Sequence, residues 1–256
     1  MDLLLKGKNV IVTGASRGIG RSIAEAFADE GANVAICART PGPVDEVVAG
    51  LKAKGVKAFG AALDIADGPA LKAWIAKAAD QLGGVDVLVS NASALPRDSS
   101  EAAWKSLFDI DVMGAVRSFE AAKAFLEKAG EANGDAAFVI ISSVSAAEAS
   151  SVSAYGAMKA SLIHYAKGVA REGAPKHVRC NVISPGTVYF KGGVWGNAEE
   201  HAPEFFQTMI KRNPTGRMAS PEEIASATAF LASPRSAFTT GINLVVDGAI
   251  SQRVNF

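Results

Sequence analysis

The chain has 256 residues, of which 49% are hydrophobic and 20% charged, a length and composition that suit one globular domain with a sizeable core. Its 26 basic residues balance its 26 acidic residues, so it lacks the positive excess of proteins that bind nucleic acids or anionic membrane surfaces. We therefore predict no nucleic-acid partner and no membrane association.

The sequence also predicts neither a membrane-spanning segment nor a secretion signal. No apolar run approaches the roughly 18 residues of a transmembrane helix. The first residues carry neither a basic stretch nor a cleavage site. The two cysteines, Cys37 and Cys180, lie inside apolar runs and suit buried thiols in a reducing compartment. We expect a cytoplasmic protein.

Short apolar strands alternate with amphipathic helices through the first half of the chain. Strands are predicted at residues 8–13, 33–38, 57–63 and 85–90. The first helix begins near Ile19 and ends at Gly31, the second lies between Pro43 and Gly55, and Asp67 opens the third.

The same alternation continues in the second half. A long helical stretch is predicted at 100–129, strands at 136–142 and 178–183, a helix from about 152 to 171, and a last strand at 243–247. Ser220 and Glu223 form a capping-box pattern with Pro221 at the first helical position, which predicts another helix start. Residues 185–218 show no simple period.

Strands that alternate with helices predict an α/β fold with a parallel sheet covered on both faces. We expect a doubly wound sheet of about seven strands. Because the sequence contains no repeat and no linker-like stretch, residues 1–256 are predicted to form one dinucleotide-binding and catalytic domain, with a substrate loop or lid at about 187–217.

A glycine-rich loop, TGASRGIG at 13–20, connects the first strand to the first helix. Gly14, Gly18 and Gly20 allow a tight turn and a close backbone approach, and the helix N-terminus offers free N–H groups to a pyrophosphate. In this position the pattern indicates a Rossmann-type dinucleotide site rather than a plain surface loop.

The charges near this loop indicate which dinucleotide binds. A carboxylate at the end of the second strand is typical of NAD(H) sites, whereas this chain has Ala38 followed by Arg39, with Arg17 in the loop. Arginine grips a phosphate through two hydrogen bonds. We predict NADP(H) as the preferred cofactor, with NAD(H) as the alternative if both arginines are only solvated surface residues.

Tyr155 and Lys159 are four residues apart in a predicted helix, so their side chains share one face. A free phenol is a poor acid or base at neutral pH, and a neighbouring ammonium stabilises the phenolate. A partly buried pair of this kind can exchange a proton with a substrate. On its own the spacing also fits an ordinary helix surface.

Taken together, these motifs resemble the short-chain dehydrogenase/reductase family over essentially the whole chain. The matching pieces, in order, are TGASRGIG (13–20), LDI (63–65), SNAS (90–93), ISS (141–143), YGAMK (155–159), SPGTV (184–188) and VVDG (245–248). The resemblance implies that Tyr155 is the general acid/base and that Lys159 assists it and binds the nicotinamide ribose. It also implies a serine that holds the substrate oxygen, for which we favour Ser143 over Ser142.

The resemblance also implies the residues that contact the cofactor. The glycine loop would contribute Gly14, Ser16, Arg17, Gly18, Ile19 and Gly20, and Arg39 would follow the second strand. Further contacts would come from Asp64 and Ile65 at the adenine, from Asn91 and Ala92 after the fourth strand, and from Pro185, Gly186 and Val188 at the nicotinamide, beside Tyr155 and Lys159.

Two residues depart from the family pattern. Asp111 stands where the family usually has a catalytic asparagine, and an ionised Asp only accepts hydrogen bonds. Near Lys159 it could be an ionised partner or a proton relay through water. Ser93 stands where the family usually has glycine, and here we expect only a local backbone adjustment.

The predicted function is an NADP(H)-dependent exchange of hydride between a carbonyl and a secondary alcohol. Aromatic residues concentrated at 187–217 suit an apolar or aromatic substrate, or else pack the lid or a subunit interface. The alternatives are an NAD-dependent alcohol or diol dehydrogenase, a 3-oxoacyl-carrier-protein reductase and a non-catalytic dinucleotide sensor. The resemblance implies a homotetramer or homodimer. His164, His177 and His201 lack metal-ligand spacing, so we predict no metal site.

Overall fold

The computed structural model describes residues 1–96, 98–149 and 151–254. Its strands form one sheet in the order β3-β2-β1-β4-β5-β6-β7, and every neighbouring pair is parallel. The doubly wound sheet predicted from the sequence is confirmed. The strands are β1 Asn9–Thr13, β2 Asn33–Ala38, β3 Ala58–Ala62, β4 Val87–Ser90, β5 Ala136–Ile141, β6 Val178–Pro185 and β7 Asn243–Val246.

Helices connect these strands and cover the sheet. They are α1 Gly18–Asp29, α2 Pro41–Ala53, α3 Gly68–Leu82, α4 Glu101–Leu107, α5 Met113–Asn133, α6 Ala154–Gly173, α7 Val194–His201, α8 Pro203–Arg212 and α9 Pro221–Ala232. No helix in the described residues combines the length and apolarity needed to cross a lipid bilayer.

The core consists of two apolar layers, one on each face of the sheet. Alternate residues of a strand point to opposite faces, so Val10 and Val12 belong to one layer while Ile11 between them belongs to the other. Helices α1, α2 and α9 close the first layer, and α3, α5 and α6 close the second. Burial on both faces explains why the strands are almost continuously apolar.

The helical stretch predicted at 100–129 is divided by a π turn. Helix α4 ends at Leu107, the π turn spans Phe108–Val112, and α5 then continues to Asn133. A π turn is a wider turn with i→i+5 hydrogen bonds, and such turns often occur at functional sites. Residues 108–112 contain neither glycine nor proline to mark a break, so this turn could not be predicted from the sequence.

The region without a simple period, 185–218, contains the two short helices α7 and α8. With 8 and 10 residues, each makes only two to three turns, which is too few for an apolar period to emerge. The helix predicted from the Ser220 capping box forms as α9, and Glu223 accepts the backbone N–H of Ser220 at 2.9 Å.

Chain order reverses between β1 and β4, which lie side by side at the centre of the sheet. In open α/β sheets the crevice beyond the carboxyl ends of the strands at such a point is where ligands bind. The glycine loop follows β1. Because β1, β4, β5 and β6 are parallel, the segments that follow them all begin at this same edge of the sheet. The predicted site residues therefore converge on one edge.

Candidate active site

The glycine loop passes very close to the segment after β4. Gly14 has a φ of +66°, which favours glycine, and a Cβ added to it would lie 2.7 Å from the Cα of Ala92. A Cβ added to Gly20 would lie 2.3 Å from Nδ2 of Asn91. Each glycine is therefore required by the close approach of a neighbouring chain segment.

Asn91 ties the end of β4 to this loop. Its side-chain Nδ2 donates to the carbonyl oxygens of Thr13 at 3.1 Å and Gly14 at 2.9 Å. Its backbone N–H donates to the hydroxyl of Thr13 at 3.1 Å. These bonds hold Asn91 and Ala92 beside the glycine loop, so two segments that the family resemblance assigns to the cofactor lie together.

The start of α1 has the features of a pyrophosphate site. Its N-cap residue, Arg17, makes no side-chain hydrogen bond to the first turn, which leaves N–H groups there for another acceptor. Ser16, Gly18 and Ile19 beside it are partly exposed. A glycine-rich loop, followed by a helix start without a side-chain cap, fits the diphosphate of a dinucleotide.

Arg17, at this helix start, and Arg39, on the loop after β2, are both exposed. Arg39 directly follows β2, and neither it nor Arg17 forms an ion pair within the described residues. Arg17 makes one long hydrogen bond, 3.4 Å to the carbonyl of Gly192. Both guanidinium groups therefore fit the charge of a 2′-phosphate. Beyond β3, Asp64 is exposed and Ile65 is buried.

Helix α6 holds Tyr155 and Lys159 at its first turns. Ser153 caps the helix by accepting the N–H of Gly156 at 3.0 Å. Tyr155 is half-buried, while Lys159 is buried. The Lys159 Nζ lies 5.6 Å from the centre of the Tyr155 ring, so the ammonium faces the phenol as the spacing predicted.

The two candidate serines after β5 make different contacts. The hydroxyl of Ser142 donates to the carbonyl oxygen of Lys159 at 2.9 Å. The hydroxyl of Ser143 accepts the N–H of Ser145 at 3.1 Å, which leaves its own proton for another acceptor. Of the two serines, Ser143 is therefore the one whose hydroxyl proton remains available to another acceptor.

Lys159 pairs with Asp111, which the π turn places beside it. Nζ lies 3.0 Å from Oδ1 of Asp111 and donates to the carbonyl of Ile141 at 3.1 Å. Both side chains are almost completely buried. Burial lowers the pKa of Lys159, but the charge of Asp111, with a contribution from Tyr155, outweighs it and raises that pKa above its usual value.

Asp111 is also held from the loop after β4. The Ser93 hydroxyl donates to Oδ1 at 2.6 Å, and the backbone N–H of Ala94 donates to Oδ2 at 2.9 Å. The expectation that Ser93 causes only a local backbone adjustment is therefore wrong, because its side chain bonds directly to Asp111. The sequence offered one sign of this contact, namely that both residues depart from the family pattern.

The segment after β6 closes the other side of the site. Pro185 and Val188 are buried, and a Cβ added to Gly186 would lie 2.8 Å from the Cα of Asp247. The hydroxyl of Thr187 is buried without a hydrogen-bond partner in the described residues. Sequence reasoning overlooked Thr187, although it lies between two residues assigned to the nicotinamide.

Aromatic side chains of the lid segment (187–217) pack mainly against one another. The ring centres of Tyr189 and Phe206 lie 5.8 Å apart, as do those of Trp195 and Phe205. Phe190 instead packs against the glycine loop, since a Cβ added to Gly18 would lie 2.4 Å from its ring. Most of these rings therefore pack the lid itself, which was one of the three predicted uses.

Comparisons with known proteins identify relatives of the chain. A family model described as enoyl-(acyl carrier protein) reductase matches residues 14–251. The isoepoxydon dehydrogenase of Penicillium expansum is 36% identical over 257 residues, which cover 98% of each chain.

Two solved structures resemble the whole chain. One is L-sorbose reductase from Gluconobacter frateurii, complexed with NADPH and L-sorbose, with a TM-score of 0.88, 29% identity and coverage of 99% of this chain and 100% of that one. The other is a short-chain dehydrogenase from Burkholderia cenocepacia J2315 in complex with NADP, with a TM-score of 0.84, 28% identity and coverage of 96% and 98%.

Proposed function

The chain belongs to the short-chain dehydrogenase/reductase family, whose relatives are oxidoreductases, and we propose that it interconverts a carbonyl and a secondary alcohol with NADP(H). The observation that carries this proposal is the pairing of Tyr155 with buried Lys159, 5.6 Å from ring centre to Nζ. Ser143 lies just after strand β5, and its hydroxyl proton is available to a substrate oxygen.

The residues of the site would divide the reaction between them. Bound NADPH would supply the hydride, or NADP+ would accept it. Ser143 would donate a hydrogen bond to the substrate oxygen and stabilise the charge that develops there. Tyr155 would give its proton to that oxygen during reduction and take a proton from the alcohol during oxidation. Lys159 would stabilise the phenolate that remains after reduction.

The cofactor would lie along the carboxyl edge of the sheet. Its diphosphate would sit on the glycine loop and the uncapped start of α1, and its 2′-phosphate would face Arg17 and Arg39. Exposed arginines without ion pairs in the described chain support NADP(H) over NAD(H), as do the neighbours solved with NADP or NADPH. The remaining contacts would be Asp64, Ile65, Asn91, Ala92, Pro185, Gly186 and Val188.

The substrate would be a small carbonyl compound or its alcohol. An apolar or aromatic substrate is supported by Phe190, whose ring packs against the glycine loop instead of within the lid. We further propose that residues 1–256 act as one catalytic domain, assembled as a homotetramer or homodimer in the cytoplasm. The two buried free thiols, Cys37 and Cys180, suit a reducing compartment.

The first experiment follows the oxidation of NADPH and NADH by absorbance across aromatic, aliphatic and β-keto carbonyl compounds. Turnover with NADPH that disappears in Tyr155→Phe would support the proposal. Turnover with NADH alone would favour the NAD-dependent dehydrogenase instead. If both cofactors bind but neither direction shows turnover with carbonyls or alcohols, the protein is better described as a dinucleotide sensor.

A narrower candidate is 3-oxoacyl-carrier-protein reductase. It is favoured by the 3-oxoacyl-[acyl-carrier-protein] reductase of Staphylococcus aureus, which is 34% identical over 250 residues, and the description of the family model that matches residues 14–251 also names an acyl-carrier-protein substrate. The discriminating measurement compares a β-keto acyl carrier protein with the same acyl group on a short thioester. A much higher kcat/KM for the protein-bound group would identify a carrier-dependent reductase, whereas equal values would exclude one.

A further inference from the structure

The two residues that depart from the family pattern contact each other. The Ser93 hydroxyl donates to Oδ1 of Asp111 at 2.6 Å, and the same oxygen lies 3.0 Å from Nζ of Lys159. The loop after β4, the π turn and helix α6 thus meet at one carboxylate oxygen. This chain of contacts ends one helical turn from Tyr155.

The contacts of Asp111 are those of an ionised carboxylate. Its oxygens accept from Ser93, from the N–H of Ala94 and from Lys159, and an ionised carboxylate only accepts. Two of these three partners, the Lys159 ammonium and the Ala94 N–H, can only donate, and the ammonium pairs with a carboxylate rather than with a neutral acid. Asp111 therefore brings a full negative charge to a buried position, where charges interact strongly.

Few other charges face this group. The elements packed around α6 contribute mainly neutral groups: the Ile141 carbonyl from β5 and the hydroxyls of Ser142 and Ser143. On α4, Glu101 and Lys105 pair with each other at the surface. The charged residue of β6, Arg179, pairs with Asp135. In the π turn Asp109 is exposed to solvent, so within the described residues the carboxylate that pairs with Lys159 is that of Asp111.

We propose that Ser93 is a positioning residue that holds Asp111 against Lys159, and that the negative charge of Asp111 keeps the Tyr155 hydroxyl protonated and ready to donate its proton. An unpaired ammonium would favour the phenolate, whereas an ammonium matched by a carboxylate does so much less. The pair thereby favours the form of Tyr155 that reduces a carbonyl. This role deepens the proposed function and rests on it.

The ionisation of Tyr155 can be measured without a substrate. The protein has three tyrosines. Burial raises the pKa of Tyr165, and a hydrogen bond to Glu199 raises that of Tyr189. The tyrosinate absorbance of the full-length protein is titrated with and without NADP+, and the Tyr155→Phe titration is subtracted to isolate Tyr155.

Separate substitutions of Asp111 and Ser93 distinguish the contribution of each residue to the ionisation of Tyr155. Asp111→Asn keeps the shape and removes the charge, so the pH of half-ionisation of Tyr155 should fall by about one unit. Ser93→Ala should cause a smaller fall, and Ser93→Thr, which keeps a hydroxyl, should restore the wild-type value. In Ser93→Ala/Asp111→Asn the Ser93 change should add nothing further, because Ser93 acts through Asp111.

The outcomes are distinct. An unchanged titration in Asp111→Asn overturns the role of Asp111, and an unchanged one in Ser93→Ala, or an additive effect in the double variant, overturns the role of Ser93. If Asp111→Asn does not melt cooperatively, it is not folded, and the proposal is then tested with Ser93→Ala and Ser93→Thr alone. Since no substrate is involved, predicted titrations without turnover of any carbonyl or alcohol would contradict the proposed function and leave this electrostatic arrangement standing.

Discussion

Ser93 and Asp111, 18 residues apart in the sequence, share a 2.6 Å hydrogen bond at the carboxylate oxygen that also contacts the Lys159 ammonium. Each residue departs from the family pattern at its own position, and their hydrogen bond joins the two departures into one polar unit. The unit exists because the π turn brings Asp111 to the end of β4. A substitution at either position is therefore expected to affect the other.

Replacing Tyr155 with Phe should remove nearly all turnover while cofactor binding persists. General acid/base catalysis typically contributes at least about 100-fold to rate, so kcat should fall by about that factor or more. NADPH affinity, measured by fluorescence titration, should change little because the ring remains. Near-normal activity in this variant would show that another group moves the proton.

Alanine substitutions of the two serines after β5 should have different effects, one on activity and the other on stability. Ser143→Ala should lower kcat by about 100-fold, because it removes the free donor for the substrate oxygen. Ser142→Ala should mainly lower stability, by about 1 kcal/mol, because it removes a buried bond to the Lys159 carbonyl. Steady-state kinetics and thermal melting of both variants provide the comparison. The reverse pattern would transfer the substrate contact to Ser142.

Arg39→Asp should shift the cofactor preference from NADP(H) toward NAD(H). An aspartate there repels a 2′-phosphate and can accept a hydrogen bond from a free ribose hydroxyl. The measurement is the ratio of kcat/KM for the two cofactors. Lys128→Asp, an equal charge change on an exposed residue of α5, is the control. A ratio unchanged by Arg39→Asp would rule out a 2′-phosphate contact there.

Gly14→Ala should abolish dinucleotide binding. Its φ of +66° disfavours alanine, and the new Cβ would lie 2.7 Å from the backbone of Ala92, which cannot move easily. Gly50→Ala, in helix α2 where a Cβ meets nothing within 4 Å, should instead stabilise the fold by about 0.5–1 kcal/mol. Isothermal titration measures NADPH binding by each variant, and thermal melting measures its stability. Tight NADPH binding by Gly14→Ala would contradict the role of the glycine loop in binding the cofactor.

Acid should weaken the start of α9. Hydrogen bonds from Arg217 and from the Ser220 N–H lower the pKa of Glu223 from 4.5 to about 2. Because this pKa is lower in the folded state, the stabilisation is complete above pH 4.5 and is lost as the pH falls toward 2.

Glu223→Gln should therefore melt below the wild type at pH 7, and the difference should shrink as the pH falls through that window. Glu200→Gln, an exposed carboxylate on α7, is the control and should change little. A difference that stays constant down to the lowest pH at which both proteins fold would mean that the charge of Glu223 is not what stabilises the helix start.

The sequence by itself determined the parallel sheet, most element boundaries and the glycine-rich loop between β1 and α1. These features depend on local rules. A buried strand must be apolar, a helix facing the sheet must be amphipathic, and a tight phosphate loop must be glycine-rich. The spacing of Tyr155 and Lys159 is likewise a property of one helix.

Only the tertiary structure decided which polar groups meet. The free hydroxyl proton of Ser143, the pairing of Asp111 with Lys159 and the bond from Ser93 each join segments far apart in the chain. A side chain's partner depends on the packing of several elements, here including a π turn and two short helices without a readable period. In a buried site that packing, rather than residue type alone, decides which charges meet and which proton remains available.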